Sequence, residues 1–320
     1  MTDQATEEID DASDDASPVN RKIRQIAWTV VAVTAAFLIG LGSGYLKWGQ
    51  DETAASAQQK ELIQLYEQVN PKDGYTLPVS YGDLGPRLIK AGVIDYDAFA
   101  NVMKSNGDSL TDDKINALKN GDSKPVVVTA QDAHFLLNFF WAVGLANKNP
   151  ILTEGPMMQY SNGQIESFAS TGGWTLATKP INEIYASINL FPLTPDQQAR
   201  VEQVATDVYR PCCDNPTIFP DCNHGMAMLG LLELMASQNA SVDEMFKAAK
   251  YVNAYWFPQQ TLETAFFLQN NQKVDFADAD ARLTVGKTYA SASGANMVHQ
   301  SLQNNNLLEQ VPRQGGSCSN

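Results

Sequence analysis

Three of the four cysteines and one of the three histidines fall in the stretch Arg210–Met228, which reads RPCCDNPTIFPDCNHGMAM. Thiolate, imidazole and thioether are soft donors, which suit Cu(I) or Zn(II) and poorly suit magnesium or calcium. The candidate ligands are Cys212, Cys213, Cys222 and His224, with Met226 and Met228 assisting. The same cysteines support two other readings. One is thiol–disulfide redox chemistry. The other is a structural disulfide from Cys222 to Cys212 or Cys213, with both methionines as core filler. The spacing C-C-x8-C-x-H is not a standard zinc-finger pattern.

The flanking residues say what positions these groups. Arg210-Pro211 ends one helix, and Pro216 and Pro220 keep the loop irregular. Asp221 or Asn223 is placed to cap the next helix. Cys222 then stands at a helix N-terminus, where unpaired N–H groups and the helix dipole favour thiolate. Four-residue spacing puts Cys222 with Met226 on one helix face and His224 with Met228 on another. A single centre using all of them therefore needs Cys222 outside the regular helix.

Pro211-Cys212-Cys213, Asp221-Cys222 and His224-Gly225, followed by a helix and SVDEMFKAAKYVNAY, resemble the extracytoplasmic family named for its PCYCGC motif. The resemblance is partial and covers about residues 209–255. It implies an extracytoplasmic setting and a metal or redox role, in a family of unknown function. This chain lacks the alternating Cys-Tyr-Cys-Gly-Cys string and the later cysteine pair, and its gap before His-Gly is shorter.

Other candidates have plainer readings. His134 lies on an apolar stretch beside Phe135, Phe139 and Phe140 and reads as a satisfied core histidine; His299 reads as surface. Met157 and Met158, like Trp141, Trp174 and Trp256, read as core or rim. Cys318 is a tail thiol or a disulfide partner. Asp275, Asp278 and Asp280 form a solvated surface with a helix cap, since a calcium loop needs the glycine and final glutamate missing here. No G-x-S-x-G, P-loop, H-E-x-x-H or C-x-x-C occurs. The chemistry points to binding rather than catalysis.

Ile26–Leu46 runs for 21 residues without a charge. At about 1.5 Å per residue such a helix spans roughly 30 Å, the hydrocarbon thickness of a bilayer. Trp28, Tyr45 and Trp48 suit its interfaces. Arg21, Lys22 and Arg24 precede it and Lys47 follows, so the positive-inside bias puts the N-terminus in the cytoplasm. The rival reading is a cleaved signal peptide, with Ala55-Ser56-Ala57 as its site; the long acidic tail and long apolar core favour an uncleaved anchor. Ala36, Gly40 and Gly44 offer a small-residue face for a transmembrane homodimer.

The whole chain carries a net charge of −14, and residues beyond 46 carry −10 of it. Such a domain repels phosphate backbones, which excludes nucleic acid as a natural partner. Its lipid contact is expected through residues 26–46 alone.

The expected organisation is mainly α: an acidic disordered cytoplasmic tail (1–25), one transmembrane helix (26–46), a juxtamembrane helical stalk (47–70), a helical extracytoplasmic domain with short irregular or β segments (71–302), and a flexible tail (303–320). Within the domain, residues 72–92 read as turns and short elements. Asp95, Thr111, Thr194-Pro195 and Ser241 (with Glu244) mark helix starts. Lys124–Val128 is a candidate strand. Thr129 or Gln131 opens an apolar helix to about Ala146, and Pro258 interrupts the pattern before a helix over 261–270.

Overall fold

The computed structural model describes residues 57–308 and Val311. The expected acidic tail, the 26–46 span with its Ala36, Gly40 and Gly44 face, and Cys318 lie outside the described residues. Among the described residues no helix is long and apolar enough to cross a membrane.

The described chain is mainly helical, as the sequence predicts. In order it forms α1 (Ala57–Val69), β1 (Tyr75–Gly82), α2 (Leu84–Ala91), α3 (Tyr96–Ser105), α4 (Asp112–Lys119), β2 (Asp122–Val128) and α5 (Ala133–Ala146). Short helical turns fill residues 150–184, followed by α6 (Pro195–Asp207), α7 (Asn223–Ser237), α8 (Val242–Trp256) and α9 (Pro258–Gln272). Two more turns, Ala281–Thr284 and Lys287–Ala290, lead to α10 (Ala292–Asn304).

Local chemistry explains most of the helix starts. The side chains of Asp95 and Thr111 accept N–H bonds from the first turns of α3 and α4. Thr194 with Gln197, and Ser241 with Glu244, form complete capping boxes on α6 and α8. Elsewhere the sequence reading needs correction. The Thr129 side chain instead bonds Asp132, and α5 begins only at Ala133. Pro258 starts α9 rather than breaking it, because a first helical position needs no N–H. Residues 75–82, within the stretch read as turns and short elements, form a strand antiparallel to β2, with Tyr75 opposite Val128 and Gly82 opposite Asp122.

Helices α5 and α7 are the centre of the main core. Every residue of α5 except His134 is buried, as is α7 from His224 to Ala236. The two helices cross at Gly144 and Gly230, where backbone meets backbone. A Cβ on Gly144 would stand 2.1 Å from the Met226 carbonyl, and one on Gly230 would stand 2.4 Å from that of Phe140.

The two-stranded sheet, α2, α3, α6 and one side of α8 pack around this pair. A second cluster joins Leu65 and Val69 of α1 to Leu262, Phe266 and Leu268 of α9, to Phe276, and to Val298 and Leu302 of α10. Helix α8 serves both clusters: Phe246 and Val252 face the first, and Tyr251 and Ala254 the second. Its buried Lys250 donates to the carbonyls of Phe276, Ala277 and Ala279, fixing the loop after α9.

Candidate metal centre

The loop 210–222 is built around one buried cation. Arg210 follows α6 and is 1% exposed. Its Nη1 donates to the Asn215 carbonyl at 2.8 Å, and its Nη2 to the Phe219 carbonyl at 3.3 Å and to Asp221 Oδ1 at 2.6 Å. Its Nε donates to Cys222 Sγ at 3.1 Å. One guanidinium therefore ties both ends of the loop together. Asn215 Nδ2 donates to the other Asp221 oxygen at 2.7 Å, so that carboxylate is held on both sides. From within the loop, Asp214 Oδ1 accepts from the Ser293 N–H at 2.8 Å, which seats the loop on the start of α10.

Cys222 is the cap residue of α7, not Asp221 or Asn223. Its backbone is extended, outside the helix, and its sulfur accepts from the Gly225 N–H at 3.4 Å. The condition for a shared centre, that Cys222 leave the regular helix, is met. Gly225 is required here for space. A Cβ at that position would stand 2.4 Å from Arg210 Nη2, because the guanidinium lies flat against the first turn of α7.

Three sulfurs and an imidazole gather at this point, in two overlapping sets. The ligand atoms of Cys212, Cys222 and His224 all lie within 4.8 Å of one another, as do those of Cys213, Asp221 and Cys222. Cys222 belongs to both. Sulfurs bound about 2.3 Å from a tetrahedral ion stand roughly 3.8 Å apart, so the first set needs little movement to close on a metal. Its Cys212 and Cys222 sulfurs are already 3.4 Å apart. In the second set the Asp221 oxygens are occupied by Arg210 and Asn215, which suits a counter-charge better than a ligand.

Electrostatics sort the three thiols. Hydrogen bonds from Cys212 and Cys213, then the charge and hydrogen bond of Arg210, hold Cys222 well below the ordinary thiol range, against the effect of burial. Cys212 is pushed upward, first of all by its hydrogen bonds with Cys213 and Cys222. In Cys213 a hydrogen bond with Cys212 acts downward, but its bond toward Cys222 and burial outweigh it and raise the thiol to about 11. Of the three, Cys222 is the sulfur whose surroundings most favour the thiolate. Burial lowers His224 to about 4, so its imidazole is neutral and has a free lone pair at neutral pH. The ring packs against Phe257 at 4.5 Å and Trp256 at 5.7 Å between centroids.

The Cys212, Cys222 and His224 cluster can hold a metal ion. Cys213 adjoins it through Cys222 but lies outside the set that includes His224. Met226 and Met228, expected as assisting thioethers, sit in the main apolar core. The roles of Arg210 and Asp221 escaped the sequence reading; the one local signal was Gly225, whose missing side chain makes room for the guanidinium.

The other histidines have carboxylate partners. His134 Nδ1 stands 2.7 Å from Asp108, half-buried at the core's rim rather than within it. His299 Nδ1 stands 2.9 Å from Glu263. Asp280 caps the next helical turn, as expected. No family model, no curated protein and no solved structure matches the chain.

Proposed function

We propose that this protein holds a soft metal ion on the outer face of a membrane, with Cys212, Cys222 and His224 as ligands and Cu(I) as the preferred ion. The single observation that carries the reading is the convergence of two sulfurs and one neutral imidazole within 4.8 Å. Cu(I) accepts three soft ligands, whereas Zn(II) in a structural site takes four. A Cu(I) bound to two thiolates leaves one net negative charge, and the Arg210 guanidinium beside Cys222, shared with Asp221, offsets part of it. The membrane placement rests on the uncharged 26–46 segment and the basic residues before it. The resemblance of residues 209–255 to an extracytoplasmic family agrees with it.

Thiol–disulfide exchange with other proteins is the less favoured use of the site. The sulfur whose surroundings most favour a thiolate, Cys222, is the more enclosed one, while in the exposed Cys212 the thiol is pushed upward. An exchange catalyst needs its thiolate where a protein disulfide can reach it.

The test is elemental analysis of the full-length protein, purified in detergent after growth in copper- or zinc-supplemented medium. Near-stoichiometric copper is expected, lost in Cys222→Ser and His224→Ala. Zinc in its place would reassign the ion, and a metal-free wild type from both media would overturn the reading.

A further inference from the structure

The same two sulfurs that face a metal also face each other. Cys212 Sγ and Cys222 Sγ stand 3.4 Å apart and are unbonded. A disulfide requires about 2.05 Å, so a shift of little more than an ångström joins them. Cys212 is exposed on the loop, while Cys222 is fixed by Arg210 and the first turn of α7. A sulfur in a disulfide carries no negative charge and is a poor metal donor. The metal-bound and cross-linked forms therefore exclude one another.

We propose that Cys212 and Cys222 form a redox gate on the metal site: a peroxide oxidant closes them into a disulfide and expels the ion. The consequence for metal rests on the function proposed above; the cross-link itself does not. In the reaction the Cys222 sulfur attacks one oxygen of hydrogen peroxide, the O–O bond breaks and hydroxide leaves. Cys222 is then a sulfenic acid. The Cys212 sulfur attacks it, the S–O bond breaks, and the oxygen departs as water. Two thiols and one peroxide give one disulfide and two waters, and the peroxide takes both electrons; from metal-bound thiolates the same change breaks both metal–sulfur bonds and draws its two protons from solvent. Thiol reductants reverse the change and restore the site.

Cys213 is the adjoining thiol, and the geometry separates its role. It shares the neighbourhood of Cys222 but not of His224. A 212–222 bond would remove two of the three donors in the His224 set at once.

The experiment uses the full-length chain carrying Cys318→Ser, both metal-free and metal-loaded, with one equivalent of hydrogen peroxide. The mass is expected to fall by two hydrogens in the metal-free chain, and peptide mapping to find residues 212 and 222 joined. In the loaded chain a chromophoric chelator should detect metal release in step with that cross-link, and a thiol reductant should restore rebinding. Cys212→Ser should form no 212–222 link while keeping its fold by circular dichroism. Metal uptake without cross-linking overturns the gate alone, as does a link between other cysteines or a cross-linked chain that retains its ion. Cross-linking in a chain that never takes up metal overturns the metal reading and the gate together.

Discussion

A guanidinium lying under the N-terminus of a helix faces the positive end of the dipole, an unfavourable place for a cation. Arg210 occupies it because Asp221 and the Cys222 sulfur supply negative charge at 2.6 and 3.1 Å. Removing one member of a buried ion pair strands the other. Arg210→Leu is therefore expected to cost about 3 kcal/mol of stability, the low end for buried pairs because Asp221 keeps some solvent. Denaturant unfolding would measure it, and an unchanged midpoint would refute the charge argument. Glu233 is the opposite case. It is fully buried in α7, and neither carboxylate oxygen has a hydrogen-bond partner among the described residues. Burial raises its pKa well above the ordinary range. The folded state thus holds a proton that the unfolded state releases near its usual value of about 4.3. Stability is full below that pH and falls as pH rises toward the folded pKa. Glu233→Gln should remove this slope and raise the melting temperature at neutral pH. An identical slope in the variant would show that another group carries it.

At the level of elements, the Gly144–Gly230 crossing sets the depth at which α7 sits, and so the height of its first turn. Gly144→Ala would drive a methyl group into the Met226 carbonyl, backbone that cannot rotate away. About 3 kcal/mol or more of destabilisation is expected, at the upper end of overpacking penalties. Metal affinity should fall with it, since Met226 is two residues from His224. A variant of native stability and affinity would show that the helices can slide apart. The helix starts were legible because cap chemistry is local: Thr194-Pro195 and Ser241-x-x-Glu244 carry their own hydrogen-bond partners within one turn. Strand β1 was not, because TLPVSY resembles a turn until its partner, dozens of residues later, supplies the other half of the ladder. The site divides along the same line. Cys222 at a helix N-terminus followed from Asp221 and Asn223, the cap-forming residues on either side of it. The Arg210 bridge did not, since nothing in Arg-Pro-Cys-Cys shows where a guanidinium will point.

On the scale of the whole molecule, α8 joins the two hydrophobic clusters, and other contacts reinforce it. Tyr75 of β1 stacks on Tyr251 at 4.3 Å, and the Tyr255 hydroxyl donates to the Pro71 carbonyl. Damage to one cluster should therefore be felt in the other. Phe276→Ala, in the second cluster, is expected to cost about 3–5 kcal/mol. It should lower one common transition seen by both near-ultraviolet dichroism and calorimetry. Two resolved transitions would mean that the clusters melt independently. The mainly helical class was legible from periodicity, but the division into two clusters was not. It depends on which faces of α8 meet which neighbours, and a helix buried along most of its length does not declare that in its sequence.

The sulfur of Cys222 accepts the Gly225 N–H. That proton is therefore a spectroscopic sentinel. Any event that withdraws electron density from the sulfur, whether ion capture or oxidation, alters the magnetic environment of a single glycine amide. Glycine nitrogens resonate apart from the crowded region of a protein spectrum, so one isotope-labelled peak would report the state of the centre without a dye or a chelator.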